Sequence, residues 1–283
     1  MNEIGIMQGR LSPPVKGRLQ AFPWNSWETE FAHARACGFD AIEWLFEAED
    51  YEQNPLWTDA GVETIQSLTD ETGVLVRSVC ADYFMAHPFF RVSESERLRS
   101  VAVLNQLISR AAQIGIKVIL VPVLEVSELQ NEQEKIQLLD SLRGPLELAA
   151  THSIRLGLET ELPAAEYLEL IERSQHQALG VYYDVGNATA KGYHPAADVR
   201  ILSEHLCGIH IKDRKRNGSS VLLDQGDVNF LEFFTALAET PYTGPLVLQT
   251  AFGDDFLSIA KTHLSFVRQH IDHGMVGKTS AVS

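Results

Sequence analysis

Residues 93–121 contain one complete repeating unit of the chain, and they read SESERLRSVAVLNQLISRAAQIGIKVILV. Ser93, with Glu96 three positions later, forms the capping-box pattern that begins a helix. The amphipathic stretch that follows ends at Gly115, and the apolar run Lys117–Val121 comes directly after it. A helix that stops at a glycine and leads into a short apolar run is typical of the turn between helix and strand in an α/β protein.

Short apolar runs of this kind recur through the chain, and they are typical of strands that are buried on both faces of a parallel sheet. The runs are Ile4–Met7, Ala41–Leu45, Leu75–Val79, Lys117–Val121, Arg155–Leu158, Leu179–Tyr183, Gly208–Ile211 and Pro245–Leu248. Long amphipathic stretches at 26–37, 93–114, 131–152 and 256–270 predict helices that alternate with these strands.

The spacing of the runs selects a topology. Their starts recur about every 34 residues, and a strand with its crossover helix needs roughly 30 or more. The pattern therefore predicts an α/β fold of the (β/α)8 TIM barrel type, with a single domain over residues 1–273 and a flexible C-terminal tail over residues 274–283. An open doubly wound sheet is less well supported, because Gly5 and Gly9 do not form a GxGxxG phosphate fingerprint after the first run.

Composition narrows the class of partner. The 283 residues include 23 Lys and Arg against 38 Asp and Glu, which gives a net charge of −15. This balance disfavours nucleic acid and anionic membrane surfaces as partners, because both bind through clustered basic residues. Cys37, Cys80 and Cys207 are few, widely spaced and odd in number, and no signal peptide or long apolar segment is evident. We therefore expect a cytoplasmic protein with reduced thiols.

Polar residues at three consecutive strand ends indicate a metal site. Glu159, Asp184 and His210 each lie at or near the end of a predicted strand, and strand ends meet at the catalytic face of a barrel. A charged group buried there is costly unless it is paired or bound to a metal. Two carboxylates and an imidazole without sulfur suit one divalent ion, Mn²⁺, Zn²⁺, Co²⁺ or Mg²⁺.

Several motifs resemble the xylose isomerase-like barrel superfamily, in particular its sugar epimerase and isomerase branch. The matching stretches are Gly38–Glu43, Leu156–Glu159, Tyr183–Asn187, Ile209–Asp213, Gln225–Phe230 and Tyr242–Leu248. The resemblance implies a divalent metal held by Glu159, Asp184, His210 and a fourth residue at the end of the last strand. That fourth residue is usually Glu, and this chain has Gln249. Asn187 is the second departure, since many members carry His there.

The resemblance also implies a chemistry. The metal holds the carbonyl and adjacent hydroxyl of an open-chain ketose and stabilises an enediolate, and Glu159 serves as a base. Gln249 cannot accept a proton near neutral pH, so the residues favour a one-base isomerisation or an epimerisation with a substitute base. Glu161, Glu166 and Asp213 are the candidates for that substitute.

Other residues are candidates for binding the substrate. Basic side chains could bind a phosphate or sugar hydroxyls, Asn187 takes the place of the family's histidine, Glu43 could support the metal site, and His87 lies in an aromatic loop. The substrate-binding set is Arg10, Glu43, His87, Asn187, Lys212 and Arg216. Strand alternation places Lys212 on the same face as His210.

The expected function is a metal-dependent sugar or sugar-phosphate isomerase or epimerase that acts on a small molecule. Two alternatives stay open: a metal-dependent dehydratase of a keto-inositol or similar polyol, and a non-catalytic barrel that binds a metal or sugar, which Gln249 favours. A phosphodiester hydrolase of the same superfamily is disfavoured by the acidic charge. By analogy with relatives, we expect a homo-oligomer.

Overall fold

The computed structural model describes the backbone of residues 2–280 and the side chains of residues 2–274. Eight of its strands are parallel and form one barrel: β1 (Ile4–Met7), β2 (Ala41–Leu45), β3 (Leu75–Cys80), β4 (Val118–Val123), β5 (Arg155–Thr160), β6 (Leu179–Asp184), β7 (Leu206–Ile211) and β10 (Leu246–Leu248). The barrel is closed in the order β1-β10-β7-β6-β5-β4-β3-β2. The predicted (β/α)8 barrel is therefore confirmed.

Helices follow the barrel strands and cover them. They are α1 (Trp27–Cys37), α2 (Asp59–Thr72), α3 (Tyr83–Ala86), α4 (Glu94–Gln113), α5 (Glu132–Thr151), α6 (Ala164–Arg173), α7 (Val185–Ala190), α8 (Pro195–Leu202), α9 (Phe230–Glu239) and α10 (Phe256–Ser280). Because the strands are covered on the outside and filled on the inside, almost every strand residue is buried.

The predicted helix boundaries are confirmed in detail at α4. The Ser93 side chain accepts a hydrogen bond from the Glu96 N–H, and the Glu96 carboxylate accepts one from the Ser93 N–H. At α1 the predicted start at Ser26 is also found, since Ser26 occupies the N-cap position. Its side chain makes no capping bond, and its hydroxyl donates to Ser12.

Two regions differ from the predicted outline. The chain after β7 forms a small antiparallel hairpin, β8 (Asp213–Arg214) and β9 (Ser220–Val221), which the sequence pattern did not indicate because each strand has only two residues. Helix α10 continues to Ser280 and overlaps the predicted tail, while residues 281–283 lie outside the described part of the chain. The domain boundary at residue 273 stays a prediction. In the described part of the chain, we find no helix that combines the length and the apolar character of a membrane span.

Tyr182 lies within the barrel, close to two glycines. A Cβ at Gly208 would lie 2.2 Å from Cε2 of Tyr182, and a Cβ at Gly157 would lie 3.1 Å from Cβ of the same residue. Tyr182 is fully buried, so its ring has no open space into which to move. The absence of a side chain at Gly208 is therefore required by the position of the ring.

We expect Gly208→Ala to lower the free energy of unfolding by about 1–3 kcal/mol, because the added methyl group overpacks a closed interior. Urea unfolding at fixed pH measures the change. Gly253→Ala is the matched control, since its Cβ would meet only Cδ1 of Ile259 at 3.8 Å, and we expect a change within about 0.5 kcal/mol. Equal stability of Gly208→Ala and wild type would contradict the packing described.

Candidate active site

Three neighbouring barrel strands bring two carboxylates and an imidazole together. Glu159 lies on β5, Asp184 ends β6 and His210 lies on β7, and all three are buried. One ligand atom from each lies within 4.8 Å of the other two. Nδ1 of His210 is 3.7 Å from Oδ2 of Asp184 and 4.0 Å from Oε1 of Glu159. The predicted convergence of these strand ends is thus present in the structure.

Glu43 on β2 fixes the opposite side of the imidazole. Its Oε1 lies 2.5 Å from Nε2 of His210. Its Oε2 accepts a hydrogen bond of 2.6 Å from the Ser78 hydroxyl and one of 2.5 Å from the Tyr182 hydroxyl. With Nε2 committed to Glu43, the ring presents Nδ1 to Glu159 and Asp184, which is the arrangement in which a carboxylate orients a metal-binding histidine.

The ligand atoms of this cluster fit a divalent cation. Nδ1 of His210 is buried and has no hydrogen-bond partner among the described residues, and Oδ2 of Asp184 is buried and pairs with the Lys212 ammonium at 2.8 Å. An ion bonded at about 2.1 Å to two ligands holds them no more than about 4.2 Å apart. The two measured separations from Nδ1, 3.7 and 4.0 Å, lie within that limit. The nitrogen and oxygen donors are those that Mn²⁺, Co²⁺, Zn²⁺ and Mg²⁺ accept.

The electrostatics of the cluster also favour a positive charge at its centre. Burial on its own would lower the pKa of His210, but the carboxylates of Glu43, Asp184 and Glu159 outweigh it and raise the pKa to about 10. Burial raises the pKa of Glu159 to about 8, with a further contribution from Asp184. Burial acts in the same sense on Asp184, but Lys212 and His210 outweigh it and hold the pKa of Asp184 below its usual value.

Lys212 and Gln249 lie together beside Asp184. The Lys212 ammonium is 2.8 Å from Oδ2 of Asp184 and donates a hydrogen bond of 2.7 Å to Oε1 of Gln249. The amide nitrogen of Gln249 donates to Oε1 of Gln20 at 2.9 Å. Gln249 is therefore bonded through both ends of its amide, and its role as a fourth metal ligand stays a prediction.

Asn187 connects Glu159 to a basic side chain. Its amide nitrogen donates to Oε1 of Glu159 at 3.0 Å, and its amide oxygen accepts from Arg214 at 2.8 Å. Its backbone N–H donates to Oδ1 of Asp184 at 2.8 Å. Asn187 thus positions both carboxylates of the cluster.

A cavity of about 520 Å³ opens at this end of the barrel. Glu159, Asn187, Lys212 and Gln249 line it. Arg10, from the turn after β1, lines it as well and is only 2% exposed. Five residues that the sequence indicated for the site therefore share the cavity, whose size admits a small sugar derivative.

Other candidates lie elsewhere. His87 is exposed and packs its ring against Tyr83 at 4.5 Å, and Arg216 lines a separate cavity of about 180 Å³. Neither is among the residues that line the cavity beside Glu159. The roles suggested for these two side chains stay predictions.

The three candidate substitute bases are already engaged. Glu161 pairs with Lys191 at 3.0 Å and Glu166 with Lys135 at 3.4 Å. Asp213 accepts hydrogen bonds from the N–H groups of Gly226 and Val228.

Sequence reasoning missed three residues that shape the site. Tyr182 and Ser78 bond to Glu43, and Gln20 bonds to Gln249. Tyr182 carried a usable signal, because it lies two positions before Asp184 in the same strand and alternation puts both on one face. Gln20 carried none, since it belongs to an irregular loop after β1.

A closed parallel barrel with a buried carboxylate–imidazole cluster at the carboxyl ends of its strands defines a (β/α)8 protein with a candidate metal centre. The chain belongs to the xylose isomerase-like TIM barrel family, whose model matches residues 31–270. The resemblance drawn from the motifs is confirmed by this match.

The chain is similar to several sugar epimerases. It is 26% identical over 238 residues to a putative L-ribulose-5-phosphate 3-epimerase of Escherichia coli, covering 79% of this chain and 83% of the relative. The solved structure of an L-ribulose 3-epimerase has a TM-score of 0.80 at 19% identity, over 100% of this chain and 98% of that chain. A D-psicose 3-epimerase from Clostridium cellulolyticum has a TM-score of 0.75 at 14% identity, over 95% of this chain and 99% of that one.

Proposed function

We propose that this protein is a divalent-metal-dependent isomerase or epimerase of a sugar or sugar phosphate, with Glu159 as a catalytic base. One observation carries the proposal. Nδ1 of the buried His210 has no hydrogen-bond partner among the described residues and faces the carboxylates of Glu159 and Asp184. The named epimerases among its relatives support the same chemistry.

The protein side chains divide the work of binding and proton transfer. Glu159, Asp184 and His210 would hold the ion, which, when bound, would polarise a substrate carbonyl and stabilise the charge that develops beside it. Glu159 also lines the cavity, so its carboxylate can reach a carbon-bound proton of a ligand there. Asn187 holds Oε1 of Glu159 and thereby fixes the direction of the carboxylate.

A second acid–base group decides between isomerisation and epimerisation. Asp82 lines the cavity, where Gln20 donates to its Oδ2 at 2.6 Å and the Cys80 thiol donates to its Oδ1 at 3.1 Å. Glu161, Glu166 and Asp213 are bonded to other groups, and none is among the residues that line this cavity. Asp82 is therefore our candidate for the substitute base.

Solvent exchange tests the proposal. With Mn²⁺, Co²⁺ or Mg²⁺ added in D₂O, we expect the protein to incorporate deuterium next to the carbonyl of a ketose or ketose phosphate of three to six carbons. We expect Glu159→Gln to lower the rate at least about 100-fold, because general base catalysis contributes roughly that much. Chelation should stop exchange and re-addition of metal should restore it.

The matched control is Glu166→Gln, which makes the same chemical change at a carboxylate paired with Lys135 on the outer helices. We expect it to exchange at the wild-type rate. Exchange that is insensitive to chelation would contradict the proposed dependence on a metal. The absence of exchange into every ketose tested would contradict the proposed activity. A conjugated product that absorbs in the ultraviolet would instead support the dehydratase.

A further inference from the structure

The guanidinium of Arg10 is buried at the wall of the cavity and is only partly bonded. Its Nε donates to the Thr250 carbonyl at 2.9 Å and one terminal nitrogen donates to Gln20 at 3.2 Å. The other terminal nitrogen, NH1, is buried and has no hydrogen-bond partner in the described part of the chain. A buried guanidinium nitrogen without a partner is costly, so this group is ready for an acceptor.

The nearby carboxylates do not supply that acceptor. Glu30 accepts backbone N–H groups from Gly9 and Leu11, and Asp82 accepts from Gln20 and Cys80. Burial lowers the pKa of Arg10 to about 10 even though both carboxylates act to raise it. At neutral pH Arg10 is therefore charged, desolvated and incompletely neutralised.

The other cationic side chains at the cavity are already engaged. Arg18 pairs with Glu47 at 3.2 Å. Lys212 contacts Asp184 and Gln249. Arg214 bonds to Asn187 through one terminal nitrogen and to the Gly218 carbonyl through its remaining nitrogens. Among these described cations, Arg10 is the one with a buried donor left over.

The backbone around Arg10 is held in place before any ligand arrives. The Glu30 carboxylate accepts the N–H groups on both sides of it, from Gly9 and Leu11, each at 3.0 Å. Gly9 has a φ of +87°, and a Cβ there would lie 2.8 Å from the Ala21 carbonyl oxygen. Because this turn is already ordered, binding a ligand at Arg10 loses little backbone entropy.

A chain of polar contacts relates Arg10 to the candidate metal centre. Arg10 and Gln249 both donate to Oε1 of Gln20, and Gln249 in turn accepts from Lys212, which contacts Asp184. Arg10 therefore lines the same cavity as Glu159 and is linked to Asp184 through three side chains. A ligand in this cavity has both Glu159 and Arg10 among the side chains that surround it.

We propose that Arg10 binds an oxyanion at the end of the open-chain ketose remote from its carbonyl, so that the preferred substrates are ketose phosphates or ketose acids rather than neutral sugars. This inference rests on the proposed function, which supplies the open-chain ketose to which the oxyanion is attached. A phosphate and a carboxylate both offer charged acceptor oxygens, which are the acceptors that a guanidinium binds most strongly.

Paired substrates test the inference. We expect wild type to turn over ketopentose 5-phosphates or the matching keto acids with a higher kcat/KM than the free ketopentoses. The ratio of kcat/KM for the phosphate to kcat/KM for the acid shows which of the two anionic groups the site prefers. Arg10→Gln should lower kcat/KM for the charged substrate about 10- to 100-fold, the value of a charge-assisted hydrogen bond. The loss on the free sugar should be several-fold smaller, because that substrate has no oxyanion for the guanidinium to bind. Equal losses on charged and neutral substrates would overturn the inference.

The matched control is Lys16→Gln, which removes one positive charge from the same loop at an exposed residue that pairs with Glu49. We expect it to leave both substrates unaffected. Arg10→Lys keeps the positive charge but lacks the several N–H donors of the guanidinium. Its kcat/KM for the charged substrate should lie between those of wild type and Arg10→Gln. If Arg10→Gln does not fold, the wild type and Arg10→Lys still decide the question.

A binding measurement separates this inference from the proposed function. Calorimetric titration of the metal-free protein with inorganic phosphate should give a binding heat that Arg10→Gln abolishes and Lys16→Gln retains. Phosphate binding without turnover of any ketose would refute the proposed function and leave the Arg10 site standing. Phosphate binding that is unchanged in Arg10→Gln, beside measurable turnover, would refute the Arg10 site alone.

Discussion

Glu43→Gln is expected to weaken binding of a divalent ion about 10- to 100-fold, as loss of a carboxylate that orients a metal-binding histidine does. It should also lower the free energy of unfolding by about 2–4 kcal/mol, because the buried carboxylate accepts from two hydroxyls and contacts an imidazole nitrogen. The amide of Gln has one acceptor fewer and presents a new donor to that set.

Calorimetric titration with Mn²⁺ and urea unfolding of the metal-free protein measure the two effects separately. Tyr182→Phe is the matched control, since it removes one of the three contacts and leaves the one between Glu43 and His210 in place. We expect it to cost about 1 kcal/mol in stability and less than about threefold in metal affinity. Wild-type affinity in Glu43→Gln would show that His210 needs no orienting carboxylate and would weaken the case for a metal centre.

The barrel and the carboxylate–imidazole cluster follow from sequence periodicity, whereas the contacts of the loop after β1 do not. Strand alternation fixes the face on which a side chain lies, so the sequence alone is enough to place Glu159, Asp184 and His210 at one edge of the sheet. Gln20 and Arg10 occupy a loop whose path depends on the positive φ of Gly9 and on the carboxylate of Glu30. Those contacts join positions far apart in the chain, and a local pattern does not contain them.

The same limit applies to the substitute bases. Glu161, Glu166 and Asp213 are attractive in the sequence because each follows or lies near a candidate ligand. None of the three is among the residues that line the cavity, whereas Asp82, two residues after the end of β3, is. Proximity along the chain is a poor guide here because the mouth of a barrel gathers residues from strands that are distant in sequence.

Gln249→Glu is expected to strengthen binding of a divalent ion at least about 10-fold, because a carboxylate there could add a charged ligand beside Glu159 and Asp184. In the metal-free protein the same change should be destabilising. The new carboxylate pairs with Lys212 in place of the present hydrogen bond, but its second oxygen lies against Oε1 of Gln20, where the amide nitrogen now donates. The contact between two acceptor oxygens and the repulsion from a third carboxylate in the cluster both lower the free energy of unfolding of the metal-free variant.

Two variants, Gln249→Glu and Gln249→Met, decide the role of Gln249. Each is titrated with Mn²⁺ and is unfolded thermally with and without the metal. Gln249→Met keeps much of the side-chain length but removes both hydrogen bonds. If Gln249 acts mainly by holding Lys212, both variants should bind Mn²⁺ no better than wild type. If its position reaches the ion, only the carboxylate should bind more tightly, and the thermal midpoint of Gln249→Glu should rise more on metal addition than that of wild type. A gain in affinity without a gain in solvent exchange would then show that the cluster accepts a third carboxylate as a fourth ligand and that this ligand does not limit proton abstraction.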